Sequence, residues 1–213
     1  MDRLPGKPIT WTDETVMAEL GTRLREVHDR ILARPNRFGY LGEHHPMESQ
    51  STWQEAFRDM WHRLLDDIRN CGGYDSEEDR YYRALLDRFI ERFDHFHRTA
   101  PLLHMDVWAE NILTNGDGRL TGLIDWDRAC WGDPEIEYAV LDYCGISTPG
   151  FWQGYSPNGH DPRADDPDAD IRQVFYLLYE VQKYIVIRIA RNADPQGAER
   201  YRHMARDLAA QLT

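Results

Sequence analysis

Lysine is almost missing from this chain: Lys7 and Lys183 are the only two in 213 residues, against 37 aspartates and glutamates. The formal charge of −12 disfavours a nucleic-acid binder, which neutralises phosphates with Lys and Arg, and disfavours anionic membrane surfaces. It suits a cationic small molecule, and equally the ordinary solubility of an acidic protein. Long apolar runs are missing too. The longest, residues 184–190, is interrupted by Arg188 and is too short to cross a bilayer. The N-terminus carries charge but no apolar signal core. Cys71, Cys130 and Cys144 lie far apart, with no zinc spacing and no disulfide framework, and read as reduced thiols in a cytoplasmic protein. The chain has no Gly-rich phosphate loop, nucleophile elbow or convincing Ser-His-Asp set.

What is present can fold. With 41% apolar and 12% aromatic residues, the composition is that of a globule rather than a disordered chain, either one large domain or two small ones. Apolar residues at helical spacing predict a helix from Thr12 or Asp13 to about Ala33, a second from Ser51 to about Cys71, and a third from Ser76 to about His97. The period then changes. Leu102-Leu103, Ile112 to Thr114 and Leu120 to Ile124 read as short strands, and Asn115-Gly116-Asp117-Gly118 is strong turn chemistry. A helix opens at Pro134 and runs to Tyr143. The stretch from Gly145 to Asp168 reads as a long loop, with a short helix over Phe151 to Tyr155. Helices from Asp170 to Arg191 and from Pro195 to Leu212 complete an α+β, mostly helical fold.

The most specific signal is His104-Met105-Asp106, then five steps to Asn111, then the hairpin, then Ile124-Asp125-Trp126-Asp127. Phosphoryl transfer needs those residue types in that order. One carboxylate, Asp106, aligns an attacking hydroxyl and takes its proton, while the hard oxygens of Asn111 and Asp125 suit Mg2+. His104 reads as a brace for the loop. Asp and Asn also satisfy turns routinely, but the ordered set around one hairpin argues for chemistry.

The set resembles the aminoglycoside phosphotransferase and fructosamine kinase branch of the kinase-like superfamily, with its H-G-D loop, I-D-W or I-D-F step and G-D-P-x-x-D-L-A helix start. Here these read His104-Met105-Asp106, Ile124-Asp125-Trp126 and Gly132-Asp133-Pro134-Glu135-Ile136-Glu137-Tyr138-Ala139. Leu24-Arg25-Glu26-Val27-His28 and Phe151-Trp152-Gln153-Gly154-Tyr155 resemble two further family segments. The resemblance implies a protein-kinase-like C-lobe with a small β-hairpin at the catalytic loop, Asp106 as the catalytic residue, Asn111 and Asp125 as magnesium ligands, Leu113 and Ile124 as an apolar floor for the nucleotide, ATP or GTP, and Asp133 as a structural brace. Met105 replaces the family's Gly, and Glu137 replaces its Asp. Residues 1–10 resemble the family's hinge, with residues 11–213 as the lobe; the expected nucleotide-gripping lobe would be supplied upstream or by another chain.

Other clusters read more plainly. His44-His45 with Glu43 and Glu48 reads as loop surface, His95 and His97 as capping or packing, and Asp161, Asp165, Asp166, Asp168 and Asp170 as a solvated acidic loop, or more sharply as a rim attracting a cation. Trp126, Trp131, Trp152 and Tyr155 read as core; Trp126 and Asp127 are also candidates for substrate contact. Three functions remain open on this reading: a kinase lobe acting on a hydroxyl of an aminoglycoside, amino sugar or similar polar metabolite, a non-catalytic binding remnant of such a kinase, and a magnesium-dependent hydrolase using Asp106 and Asp125.

Overall fold

The computed structural model describes residues 5–10, 13–42 and 46–212. The Glu43-His44-His45 run, Thr12 and residues 1–4 of the hinge-like segment lie outside the described residues. The chain packs as two units, Met1–Ser49 with Arg98–Pro167, and Gln50–His97 with Asp168–Thr213.

The first unit holds two small antiparallel sheets. Strands β1 (Lys7–Pro8), β4 (Ile112–Thr114) and β5 (Leu120–Leu123) form one, with β4 central; β2 (Gly39–Tyr40), β6 (Cys130–Trp131) and β3 (Leu102–Leu103) form the other, with β6 central. Strands β1, β2, β3 and β6 are each two residues long, too short for alternation to announce them, and of these β3 reads as a strand from Leu102-Leu103. Helix α1 (Glu14–Arg30) starts where Asp13 accepts the N–H groups of Thr15 and Val16. It ends three residues earlier than its pattern suggests, because Ile31 turns extended and Leu32 bridges to Pro101.

The unit's core is α1 packed on α4 (Pro134–Tyr143) and α5 (Pro149–Tyr155), with Val16, Leu20 and Leu24 against Tyr138, Phe151 and Tyr155. The approach of α1 to α5 is set by glycine. A Cβ at Gly154 would overlap the Ala18 carbonyl, and one at Gly21 the Phe151 carbonyl. The long loop expected after α4 is therefore largely organised. Arg163 pairs with Asp142 at 2.7 Å and with Asp161 at 2.5 Å, so the acidic cluster is not uniformly solvated.

The second unit is helical: α2 (Trp53–Asn70), α3 (Ser76–Phe89), α6 (Ala169–Val186) and α7 (Pro195–Ala210). Thr52, not Ser51, caps α2 in a capping box with Glu55. Helix α3 stops at Phe89 rather than near His97. A 3-10 turn, Ile90–Phe93, brings Ile90 and Phe93 onto one face, buried to 3% and 0%. Phe93 stacks on Phe57 at 4.7 Å, and the Trp53 indole donates to the Tyr176 hydroxyl at 2.7 Å. Asp168, not Asp170, stands at the start of α6, its carboxylate taken by Arg92 at 2.8 Å. No described helix is long and apolar enough to cross a membrane.

Gly154→Ala is expected to destabilise the protein by about 1–3 kcal/mol, the usual cost of overpacking, measured as a lowered denaturant midpoint; an unchanged midpoint would mean that α1 and α5 can separate freely.

Candidate active site

The loop from β3 to β4 carries Asp106, and one buried carboxylate shapes it. Glu137, on α4 and 0% exposed, accepts the backbone N–H of His104 at 2.6 Å and of Met105 at 2.7 Å through Oε1. Between these bonds and Asp106 the backbone bends to φ +65° at Met105. A left-handed conformation is costly for a side-chain-bearing residue, which explains why glycine suits this position. Here Met105 accepts it with its own side chain buried to 1% exposure.

His104 locks the loop from the other side. Asp106 N–H donates to its Nδ1 at 3.2 Å, so Nε2 carries the proton and donates to the Ile124 carbonyl at 2.8 Å. Burial lowers the imidazole pKa, outweighing the opposite pull of Glu137, Asp106 and Asp125. For Glu137, burial pushes the carboxyl up, but the hydrogen bond from His28, the neighbouring His104 and the Met105 amide together hold it below its ordinary value.

Asn111 ends a 3-10 turn, Ala109–Asn111, and is buried. Its side-chain nitrogen donates to the Asp106 carbonyl at 2.9 Å and to Asp106 Oδ2 at 3.2 Å. Its own carbonyl accepts Ile124 N–H at 3.0 Å. Asp125 follows directly, exposed and at φ +65°. The hairpin thus brings His104, Asp106 and Asn111 together and joins Asp125 to them through Ile124. Leu113 is buried to 7% exposure opposite Pro8 and Gly122, while Ile124 is half-buried with both backbone groups bonded. Asp133 is buried and caps α4, accepting Glu135 N–H at 3.1 Å. Trp126 props the loop: its ring meets His104 edge-on at 4.4 Å and its indole N–H bonds the Leu123 carbonyl. Asp127 is exposed, whereas Trp152 and Tyr155 belong to the core.

Two neighbours of Asp106 were not singled out in the sequence. Arg128 Nη1 lies 3.6 Å from Asp106 Oδ1, and Trp108 stands 38% exposed two residues beyond Asp106. The signal for the first was available, an arginine three residues after Asp125; nothing in composition marks the second beyond its place in the loop.

The profile of the fructosamine kinase family matches residues 8–189. The chain belongs to the fructosamine kinase family. A curated relative named "Probable ketoamine kinase", from Vibrio cholerae, is 30% identical over 90 residues, 41% of this chain. That match spans only 30% of the relative's length. Among solved structures, a Thermobifida fusca protein described as a fructosamine-3-kinase is 19% identical with a TM-score of 0.69, covering 100% of this chain and 68% of that one. A thermostable mutant of the aminoglycoside phosphotransferase APH(4)-Ia, in ternary complex with AMP-PNP and hygromycin B, gives 20% identity and a TM-score of 0.59, covering 98% and 70%. The choline kinase LicA from Streptococcus pneumoniae gives 16% and 0.61, covering 96% and 66%. These likenesses establish a protein-kinase-like fold for this fructosamine kinase family member.

Its donor set suits the magnesium ion that the fold implies. The Asn111 amide and the Asp125 carboxylate offer hard oxygens. The Asn111 nitrogen is already committed to Asp106, which leaves the amide's oxygen end for a cation, and Asp125 has no hydrogen bond or ion pair among the described residues.

The buried imidazole makes stability pH-dependent. The folded pKa of His104 lies below the ordinary 6.5. Its contribution is therefore complete above that value and is lost as pH falls through the folded pKa, because the unfolded chain then binds the extra proton. His62, whose pKa burial also lowers, adds a slope of the same sign. The Tm is expected to fall between about pH 7 and about pH 5, less steeply in His104→Asn; equal slopes in the two proteins would remove His104 from the account.

Proposed function

We propose that this chain is the catalytic and acceptor-binding part of an ATP-dependent small-molecule kinase, acting on a sugar hydroxyl of a ketoamine. The observation that carries the reading is the Asp106 carboxylate, tied to the Asn111 amide, facing Arg128 at 3.6 Å and mounted on a loop whose backbone Glu137 holds. Membership of the fructosamine kinase family and the ketoamine kinase relative support the substrate class.

On this reading Asp106 orients the acceptor hydroxyl and takes its proton as the oxygen attacks the γ-phosphorus of ATP, whose bond to the β,γ-bridging oxygen breaks to release ADP. Alignment supplies most of the effect, since the loose phosphoryl-transfer transition state asks little of a base. Asn111 and Asp125 would hold magnesium, which when bound would neutralise charge on the phosphate oxygens. Arg128 shares the Asp106 carboxylate and keeps it from pairing fully with the cation site. Trp108 offers its exposed ring face to the sugar, and Asp127 its charge to the amine. Leu113 and Ile124 floor the adenine. Neither lysine fits a role in gripping the nucleotide phosphates: Lys7 is exposed on β1, and Lys183 is buried and paired with Glu180.

The test is ATP turnover by the chain as given and by a version extended upstream, screened over fructosyl-amine, aminoglycoside and choline acceptors. Phosphorylation of the fructosyl amine is expected. Asp106→Ala should lower kcat by roughly 10²–10⁴-fold while the circular-dichroism melt is retained; wild-type turnover by that variant would overturn the assignment. Tight acceptor binding without turnover in both forms would favour a binding remnant, and phosphate release from simple esters without ATP would favour a hydrolase.

A further inference from the structure

Two segments that the sequence singles out, the helix end at His28 and the Phe-x-x-Gly-Tyr segment at Tyr155, meet behind the catalytic loop rather than at its face. His28 Nε2 lies 2.8 Å from Glu137 Oε2, and His28 Nδ1 lies 2.7 Å from the Tyr155 hydroxyl. Tyr138 in turn donates its O–H to the Tyr155 oxygen at 2.8 Å. All four side chains are at most 5% exposed. The proton order follows from the end groups. The Glu137 carboxylate only accepts, so Nε2 donates. Nδ1 pairs with the Tyr155 hydroxyl, whose oxygen receives Tyr138. The other oxygen of the same carboxylate holds the N–H groups of His104 and Met105.

We propose that His28 and Tyr155 are positioning residues: through one hydrogen-bonded chain they fix the rotamer of Glu137 and thereby its grip on the backbone that presents Asp106. Neither touches substrate. Packing alone does not need the Tyr155 hydroxyl, because the ring is held by its stack on Phe151 at 5.5 Å and by the edge of Trp152 at 5.9 Å. The hydroxyl's use is the polar chain, and a carboxylate left with one partner fewer can rotate away from the loop.

The proposal rests on the phosphotransfer reading only for its kinetic half, so two measurements separate the two. The first is amide hydrogen exchange at His104 and Met105 in the full chain, which needs no activity. Tyr155→Phe and His28→Leu are expected to accelerate exchange at those two amides by at least about tenfold, with Ile124, bonded within the hairpin, unchanged. His28→Gln, which keeps one donor and one acceptor, should restore protection. Unchanged exchange in Tyr155→Phe overturns the proposal; if His28→Leu fails to fold, the tyrosine variant still decides. The second is transfer kinetics in the form of the protein that turns over. Tyr155→Phe should lower kcat by about tenfold or more with acceptor KM within about twofold. Accelerated exchange with unchanged kcat would also overturn the positioning role. A wild type without transfer activity would sink the kinase reading and leave the exchange result to decide the grip.

Discussion

One buried carboxylate organises this site. Glu137 gives one oxygen to the backbone of the loop that carries Asp106 and the other to His28, with no exposure to water. A charge in that position is tolerable only when its lone pairs are filled by good donors, and here two amides and an imidazole fill them. The alternative, an unpartnered carboxylate in the core, would cost several kcal/mol. The loop therefore has little freedom to leave: moving it would strip the charge of two of its donors. Longer than an aspartate by one methylene, Glu137 still reaches both amides, so the change of residue at this point alters reach without losing the bond.

The same constraint makes sense of two strained residues. Met105 and Asp125 both sit at φ +65°, a region disfavoured for residues with side chains and frequent at functional sites. Met105 is held by the Glu137 bonds around it and by its own burial. Asp125 is held by the bonds of the residue before it, since Ile124 N–H goes to the Asn111 carbonyl and Ile124 C=O to His104. Asp125 is exposed at the end of the hairpin, directly after the half-buried Ile124.

What could be read from the sequence was what is local. The turn at 115–118 and the hairpin follow from Asn and Gly chemistry within a few residues, and α4 from Pro134 behind a capping Asp133. The ordered His-Asp-Asn-Asp set was legible because one short hairpin holds all of it. Long-range partners were not. Glu137 lies 33 residues from His104 and 109 from His28, and no periodicity links them. Helix ends erred where tertiary packing outweighed pattern. The residues from Ile90 to about His97 read as a continuation of the helix, yet burying Ile90 and Phe93 on one face required the tighter 3-10 geometry. Among the described residues, strand β2 pairs only with β6, and β6 is held between β2 and β3, a reason that lies in no single segment.

The charge met by an incoming amine is also decided by what is already paired. Composition suggests the acid-rich stretch from Asp161 to Asp170 as the attractor, but Asp161 is committed to Arg163 and Asp168 to Arg92. Arg163 is itself drawn over the rings of Tyr138 and Trp152, at 5.6 and 5.8 Å, so this part of the loop is structural cement. Glu110, by contrast, is exposed four residues beyond Asp106. Coulomb attraction between exposed groups is strongly screened beyond roughly 8–10 Å at physiological salt. Carboxylates beside the hairpin therefore bear more on an amine at Asp106 than the chain's net charge of −12 does. On the proposed reading, selectivity for a cationic acceptor is a local property of the hairpin's flank, and the acidity of the rest of the surface contributes mainly to solubility.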